Sequence, residues 1–176
     1  QITSEDQRLG GLDWSGINPA TGPLFIEGAA PGDILKVEIL SIELDDHGVM
    51  VDGPNEGVMG ALLKDEATRI LPIENGMARF NDKLSFPLRP MIGVIGVAPA
   101  EGSINNATPG RHGANMDEKL IGEGAVLYLP VFTEGALFAV GDVHAIMGDG
   151  EIGGTGLEIP ADVTVTLEVI KDWQPA

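Results

Sequence analysis

The chain of 176 residues contains no cysteine, which rules out disulfide staples, a thiol nucleophile and thiolate metal ligands. Any bound metal must therefore rest on His, Asp, Glu, carbonyl or water. Aromatic residues make up only 5%, so the core falls to Val, Ile, Leu, Ala and Met. The stacking platforms of a single-strand nucleic-acid binder are largely missing. Basic residues number 10 against 27 acidic ones, giving a formal charge of −17. That balance repels phosphate backbones, and nucleic acid is not an expected partner. No apolar run approaches the roughly 18 residues of a bilayer-spanning helix, and no charged-then-apolar leader opens the chain, so no membrane partner is expected. The lack of disulfides agrees with a reducing compartment, and the cytoplasm is the expected location.

Apolar residues supply 43% of the chain, enough to build a core despite the charge. The length predicts one domain over 1–176. The 25 glycines and 12 prolines punctuate short runs with strand periodicity. Ile34 to Leu44 alternates with period two, and the Asp45-Asp46-His47-Gly48 turn predicts a hairpin with Val49-Met50-Val51. Arg69 to Glu74 and Met77 to Asn81 flank Asn75-Gly76, a strong hairpin turn. A short strand follows at Lys83 to Pro87. Met91 to Ala98 is a continuous apolar run whose two glycines predict an interior strand with close backbone approach. Ala125 to Phe132, Phe138 to Ile146 and Asp162 to Ile170 complete the strands. Residues 1–27, with Gly10-Gly11, Asn18-Pro19 and Gly22-Pro23, read as irregular, Glu56 to Glu66 as a short helix or loop, and Pro99 to Gly124 as one long loop. The expected fold is mainly β, with sandwich- or barrel-like antiparallel sheets, long Gly/Pro-rich loops and little helix.

Chemistry concentrates in Gly141 to Glu151, where Asp142, His144, Asp149 and Glu151 stand among glycines and apolar residues. Charged groups in such company are tolerated when paired, hydrogen-bonded or ligated to metal. In extended chain Asp142 and His144 point to the same face, and the Gly148-Asp149-Gly150 turn can return Glu151 towards them. A mixed nitrogen and oxygen set suits zinc, with manganese or iron as alternatives. A salt-bridged strand end around a core histidine is the plainer alternative. In the long loop, His112, Asn115 and Asp117 can add a ligand and hydrogen-bonding groups, or simply stabilise turns. His47 reads as a surface residue. The Gly148 to Gly156 stretch lacks the Gly-Lys-Ser/Thr ending of a phosphate loop, and neither Ser41 nor Ser103 sits in a nucleophile elbow.

Four ordered blocks resemble the acetamidase/formamidase family: Thr21 to Asp33, Arg89 to Pro99, Pro109 to Asp117 and Gly141 to Glu151. The resemblance implies hydrolysis of small linear amides such as formamide and acetamide to a carboxylate and ammonia, by a β-rich enzyme associated with a divalent metal. The family's His-Gly-Gly-Asn-x-Asp segment falls on His112, Gly113, Ala114, Asn115 and Asp117. Its Gly-Asp-x-His and Gly-Asp-Gly-Glu segments fall on Asp142, His144, Asp149 and Glu151. Ala114 stands where the family has glycine, a departure that matters if the backbone needs positive φ. Members of the family extend beyond both ends of this chain, and the start at Gln1 rather than Met fits a processed chain or part of a longer protein.

From this resemblance the expected metal ligands come from His112, Asp117, Asp142 and His144, with zinc as first choice and calcium second. Glu151 is expected as general base, Asn115 as oxyanion donor and Asp149 as a further catalytic residue. The expected partners are a small amide and a second copy of the chain in a homodimer. Two other readings stay open: a non-catalytic cation-binding β module, and a relative that opens lactams by the same chemistry.

Overall fold

A computed structural model describes residues 2–8 and 17–173. Eleven strands follow one another among these residues: β1 (Ala20–Leu24), β2 (Ile34–Leu44), β3 (His47–Asp52), β4 (Ala67–Glu74), β5 (Met77–Arg79), β6 (Ser85–Pro87), β7 (Met91–Gly96), β8 (Gly113–Asn115), β9 (Val126–Pro130), β10 (Phe138–His144) and β11 (Ala161–Ile170). The only helical turn in this order is a 3-10 turn at Gly60–Leu62, which settles the helix-or-loop alternative for Glu56 to Glu66. The expectation of a mainly β chain with antiparallel sheets and little helix is borne out. Among the described residues, no helix is long and apolar enough to cross a membrane.

The strands divide between two compact units. Among the described residues, one contains 2–8, Glu43–Met91 and Val143–Asp162; the other contains Ile17–Ile42, Ile92–Asp142 and 163–173.

In the second unit, the period-two pattern of β2 does what it predicts. Leu35, Val37 and Ile39 are fully buried, while Lys36 on the opposite face meets Glu168 of β11 at 3.0 Å. Full burial of one such aliphatic side chain contributes about 1.5–3 kcal/mol. Strand β2 lies between β11 and β9, with Ile34 to Glu38 paired to β9. The predicted hairpin between β2 and Val49-Met50-Val51 does not form. Strand β3 pairs instead with β4, from His47 opposite Pro72 to Asp52 opposite Ala67.

Strand β7 is buried along its whole length and lies between β10 and β8. A strand covered on both faces and both edges reads as a continuous apolar run rather than an alternating one. Two elements of this sheet depart from expectation. Ala20–Leu24 is not irregular but pairs with β10, with a shift of register between Thr21 and Leu24. Pro23 is tolerated because β1 is the edge strand, where a missing N–H disrupts no ladder. Gly113–Asn115, placed in the long loop by sequence, is a three-residue strand on β7. Its glycine and polar residues carry none of the β-branched signal that marks a strand. The predicted Gly10-Gly11 turn lies outside the described residues.

In the first unit, β4 and β5 meet with Glu74 opposite Met77. This leaves Asn75 (φ 52°) and Gly76 (φ 75°) as a two-residue turn, the positive pair that Asn-Gly favours. The hairpin read from the sequence is present as expected.

One ion pair fastens the end of β11 to the turn before β2. Lys171 Nζ donates to Asp33 Oδ2 at 2.6 Å and to the Gly28 carbonyl at 2.6 Å, and Ala30 N–H donates to the same carboxylate at 2.8 Å. The Lys171 hydrogen bond, then the Ala30 N–H, hold the Asp33 carboxyl below its usual range. A depressed folded pKa stabilises above the unfolded value of about 3.9 and is lost as pH falls through the folded one. The variant Asp33→Asn is thus expected to melt earlier than the parent at pH 7, and the gap is expected to close as pH falls below ~4. Thermal melts at both pH values measure this; a gap that stays constant with pH contradicts the assignment.

Candidate active site

Gly93 sits in the middle of the buried strand β7, and the second unit uses its missing side chain. A Cβ at this position would lie 2.7 Å from both Asp117 Oδ1 and Asp142 Oδ2 and 2.8 Å from the Asp142 carbonyl. The close approach expected of this glycine is therefore real, and what approaches is a pair of carboxylates. The Gly93 carbonyl also accepts the N–H groups of Met116 (2.9 Å) and Asp117 (3.3 Å), which ties the segment after β8 to β7. Carboxylate oxygens of Asp117 and Asp142 lie within 4.8 Å of each other. Like charges that close repel unless a cation or a shared proton offsets them. This donor set fits a hard or borderline divalent ion.

Backbone conformation concentrates here as well. Among the non-glycine residues with positive φ are Ala114 (74°), Asp117 (43°), Asp142 (54°) and Glu151 (44°). Each such position costs about 1–3 kcal/mol and persists only where its surroundings enforce it, and such strain gathers at functional sites. Asp142 is thus not extended, and strand alternation does not set its direction. Ala114 occupies the conformation that the family's glycine suits, so that departure carries a conformational cost.

His112 is 8% exposed, and its carbonyl accepts Val97 N–H at 2.9 Å. It does not join Asp117 and Asp142 in a group of converging ligand atoms. Its ring instead lies against Gly110, where a Cβ would come within 2.9 Å of Nδ1. His112 Nε2 and Asn115 Oδ1 are buried with no hydrogen-bond partner. Buried polar atoms in native proteins are almost always paired with protein, solvent or ligand. These two therefore mark polar ground beside β7 and β8.

The first unit holds a cluster as well. His144, at the end of β10, is 1% exposed and converges with Glu151 and Glu158, one ligand-type atom of each within 4.8 Å of the others. The Gly148-Asp149-Gly150 turn does bring Glu151 back to His144, as the turn chemistry predicts. Asp149 itself stays exposed in that turn. Glu158 is the residue that sequence reasoning missed. It lies beyond the glycine-rich stretch, within Leu157-Glu158-Ile159, and the alternation of two buried apolar residues around one acid was the available signal. Strand β10 carries Asp142 in the second unit and His144 in the first.

A third group, Asp45, Asp46 and His47, lies at the surface. His47 Nδ1 is 2.6 Å from Asp46 Oδ1, and that contact raises the His47 pKa and lowers that of Asp46. This is the surface role expected for His47.

Substituting Gly93→Ala is expected to destabilise the fold by about 1–3 kcal/mol, the usual cost of overpacking, because the Asp142 carbonyl in its way is main chain. Gly148→Ala, with nothing within 4 Å of the added Cβ, is expected to be neutral within ~0.5 kcal/mol. Urea denaturation of the pair compares them directly, and equal midpoints would contradict the packing described around Gly93.

The model of the Acetamidase/Formamidase family matches residues 100–175. An acetamidase from Bacillus halodurans is 49% identical with a TM-score of 0.96, over 98% of this chain and 59% of that one. A structure from Thermoanaerobacter tengcongensis, described as a predicted acetamidase/formamidase, is 53% identical with a TM-score of 0.95, over 98% of this chain and 57% of that one. A formamidase from Methylophilus methylotrophus is 25% identical over 219 residues, covering 92% of this chain and 54% of the relative. The chain thus spans little more than half the length of the relatives it matches. Motifs, family match and fold agree, and the resemblance of this chain to the acetamidase/formamidase family is borne out.

Proposed function

We propose that the chain belongs to the hydrolytic machinery of a metal-assisted amidase that cleaves small linear amides to a carboxylate and ammonia. The observation that carries this reading is the Asp117–Asp142 carboxylate pair held over Gly93, in a chain whose relatives are named acetamidase and formamidase. The proposal takes residues 1–176 as a single amidase-like domain, cytoplasmic and working as a homodimer. Exposed Val58 and Leu62 supply apolar surface of the kind a second copy covers.

In the second unit Asp117 and Asp142 are proposed as oxygen ligands, with His112 as a buried nitrogen donor; in the first, His144 is the proposed nitrogen donor. Zinc is the first choice for a mixed set and calcium the second. A divalent ion held by Asp117 and Asp142 would supply Lewis acidity for the amide carbonyl and would lower the pKa of water towards ~7. Glu151 takes the water proton and hands it to the departing amine. Its turn is short and rich in glycine, which lets the carboxylate reach His144 without a long loop. Asn115 donates from its amide nitrogen to the oxyanion, a contribution of roughly 3 kcal/mol where such a donor operates. Asp149 remains in the proposed site only as part of the Gly-Asp-Gly-Glu segment that presents Glu151.

The test is ammonia release from formamide, acetamide and a small lactam, before and after chelation and after zinc is restored. Activity towards the linear amides is expected to disappear on chelation and return with metal. Glu151→Gln is expected to lose ~10²–10⁴-fold in turnover, the usual contribution of a general base, with metal content unchanged. A Glu151→Gln protein that turns over at the parent rate removes Glu151 from the mechanism. Bound metal without ammonia favours the cation-binding module.

A further inference from the structure

Glu151 belongs to a stretch with little intrinsic preference for one shape. Gly148, Gly150, Gly153, Gly154 and Gly156 make up five of the nine residues from Gly148 to Gly156, and glycine gives up more conformational freedom on ordering than any other residue. Ile152, the apolar residue of the loop, is 53% exposed, so burial does not anchor the loop there. Glu151 nevertheless holds φ at 44°, with a carboxylate oxygen within 4.8 Å of ligand-type atoms of His144 and Glu158. Two contacts within the same unit impose that shape.

The first comes from the loop between β3 and β4. Asn55 N–H donates to the Gly60 carbonyl at 3.2 Å and Glu56 N–H to the Gly53 carbonyl at 3.2 Å, which winds this loop on itself. From it, Val58 N–H donates at 2.8 Å to the carbonyl of Ile152, the residue after Glu151. Gly57 (φ 54°) lets the two main chains meet. A Cβ there would fall on the Ile152 carbonyl oxygen and lie 2.7 Å from the Gly153 carbonyl carbon and 2.8 Å from the Gly154 nitrogen. All of these are main-chain atoms. Gly154 N–H in turn closes on the Glu151 carbonyl at 2.8 Å. The second contact is Thr155, whose hydroxyl accepts Val51 N–H at 3.1 Å and donates to the Val51 carbonyl at 3.0 Å. Strand β3 exchanges backbone bonds with Glu158 at Val49, and two residues further along a hydroxyl takes the place of the backbone partner.

We propose that Gly57 and Thr155 are positioning residues for Glu151: together they hold the glycine-rich loop in the conformation that presents its carboxylate beside His144. Neither needs contact with substrate or metal for this role. The proposal rests on the reading of Glu151 as general base, while the shape of the loop is measured without turnover.

Proton NMR of the full chain tests it. The parent is expected to show contacts between the Glu151 side chain and the His144 ring, and slow hydrogen exchange at the Val58 and Gly154 amides. Gly57→Ala is expected to lose both. Gly76→Ala, at a comparable φ of 75° and with nothing within 4 Å of the added Cβ, is expected to keep them. Thr155→Val is expected to lose them and Thr155→Ser to restore them, which keeps the test decisive if Gly57→Ala does not fold. On small linear amides, Gly57→Ala and Thr155→Val are expected to lower kcat about 10²-fold with KM unchanged, and to have no further effect in a Glu151→Gln background. A parent without the Glu151–His144 contacts or the amide protection overturns the proposal, as do Gly57→Ala and Thr155→Val proteins that retain both. Losses in kcat that add in full to that of Glu151→Gln overturn it as well. A loop ordered in the parent and released in the variants, without ammonia release by the parent, leaves the positioning standing and counts against the amidase reading alone.

Discussion

Acidic side chains have to be accommodated beside apolar strands, and the architecture around β7 and β10 follows from that constraint. Strand β7 is buried throughout, so it offers no side-chain partner to a neighbouring carboxylate. What it offers is absence: Gly93 has no Cβ, and the space goes to Asp117 and Asp142. Two carboxylates gathered by an apolar strand raise each other's cost unless positive charge or a proton is supplied. A divalent cation is one species that such a carboxylate pair could hold.

The first unit meets a similar demand differently. His144 is almost completely buried, whereas the side chain of Glu158 keeps 33% of its exposure, so the carboxylate retains part of its hydration while touching the ring. The exposed Asp46–His47 pair has a shorter contact, 2.6 Å, but both partners are solvent-exposed and such pairs contribute little. Burial of one partner and a backbone tied on two edges, rather than a short distance, set the His144–Glu158 contact apart from a surface ion pair.

Much of the fold could be read from the residues, and the failures have physical causes. Alternation in β2 and β11, the Asn75-Gly76 turn and the apolar run of β7 all report local preferences that the tertiary structure leaves intact. Strand β1 was hidden because Gly22 and Pro23 are turn residues in most settings and become acceptable only at a sheet edge. The predicted β2–β3 hairpin failed because a turn signal does not report the competing partner, and β3 pairs with β4 instead. At the site, Asp142, His144 and Glu151 were visible through their spacing. Glu158 was not, because its partner is set by strand pairing across fourteen positions, and single-sequence periodicity carries no register.

Ala114 shows how the site's demands spread into the scaffold. The left-handed conformation costs an alanine about 1–2 kcal/mol, and burial of its methyl group returns roughly 0.8 kcal/mol of that. The residue keeps φ at 74° because its neighbours leave no alternative. Asn115 is paired with Val94, Ala114 with Ile95 and Gly113 with Gly96, while Met116 and Asp117 both bond to Gly93. The chain is thus pinned on both sides of Ala114, and relaxing its φ would pull Asp117 away from Asp142. The residual strain is carried by the segment that places a carboxylate, so a stabilising change there would be expected to come at the expense of the site's geometry.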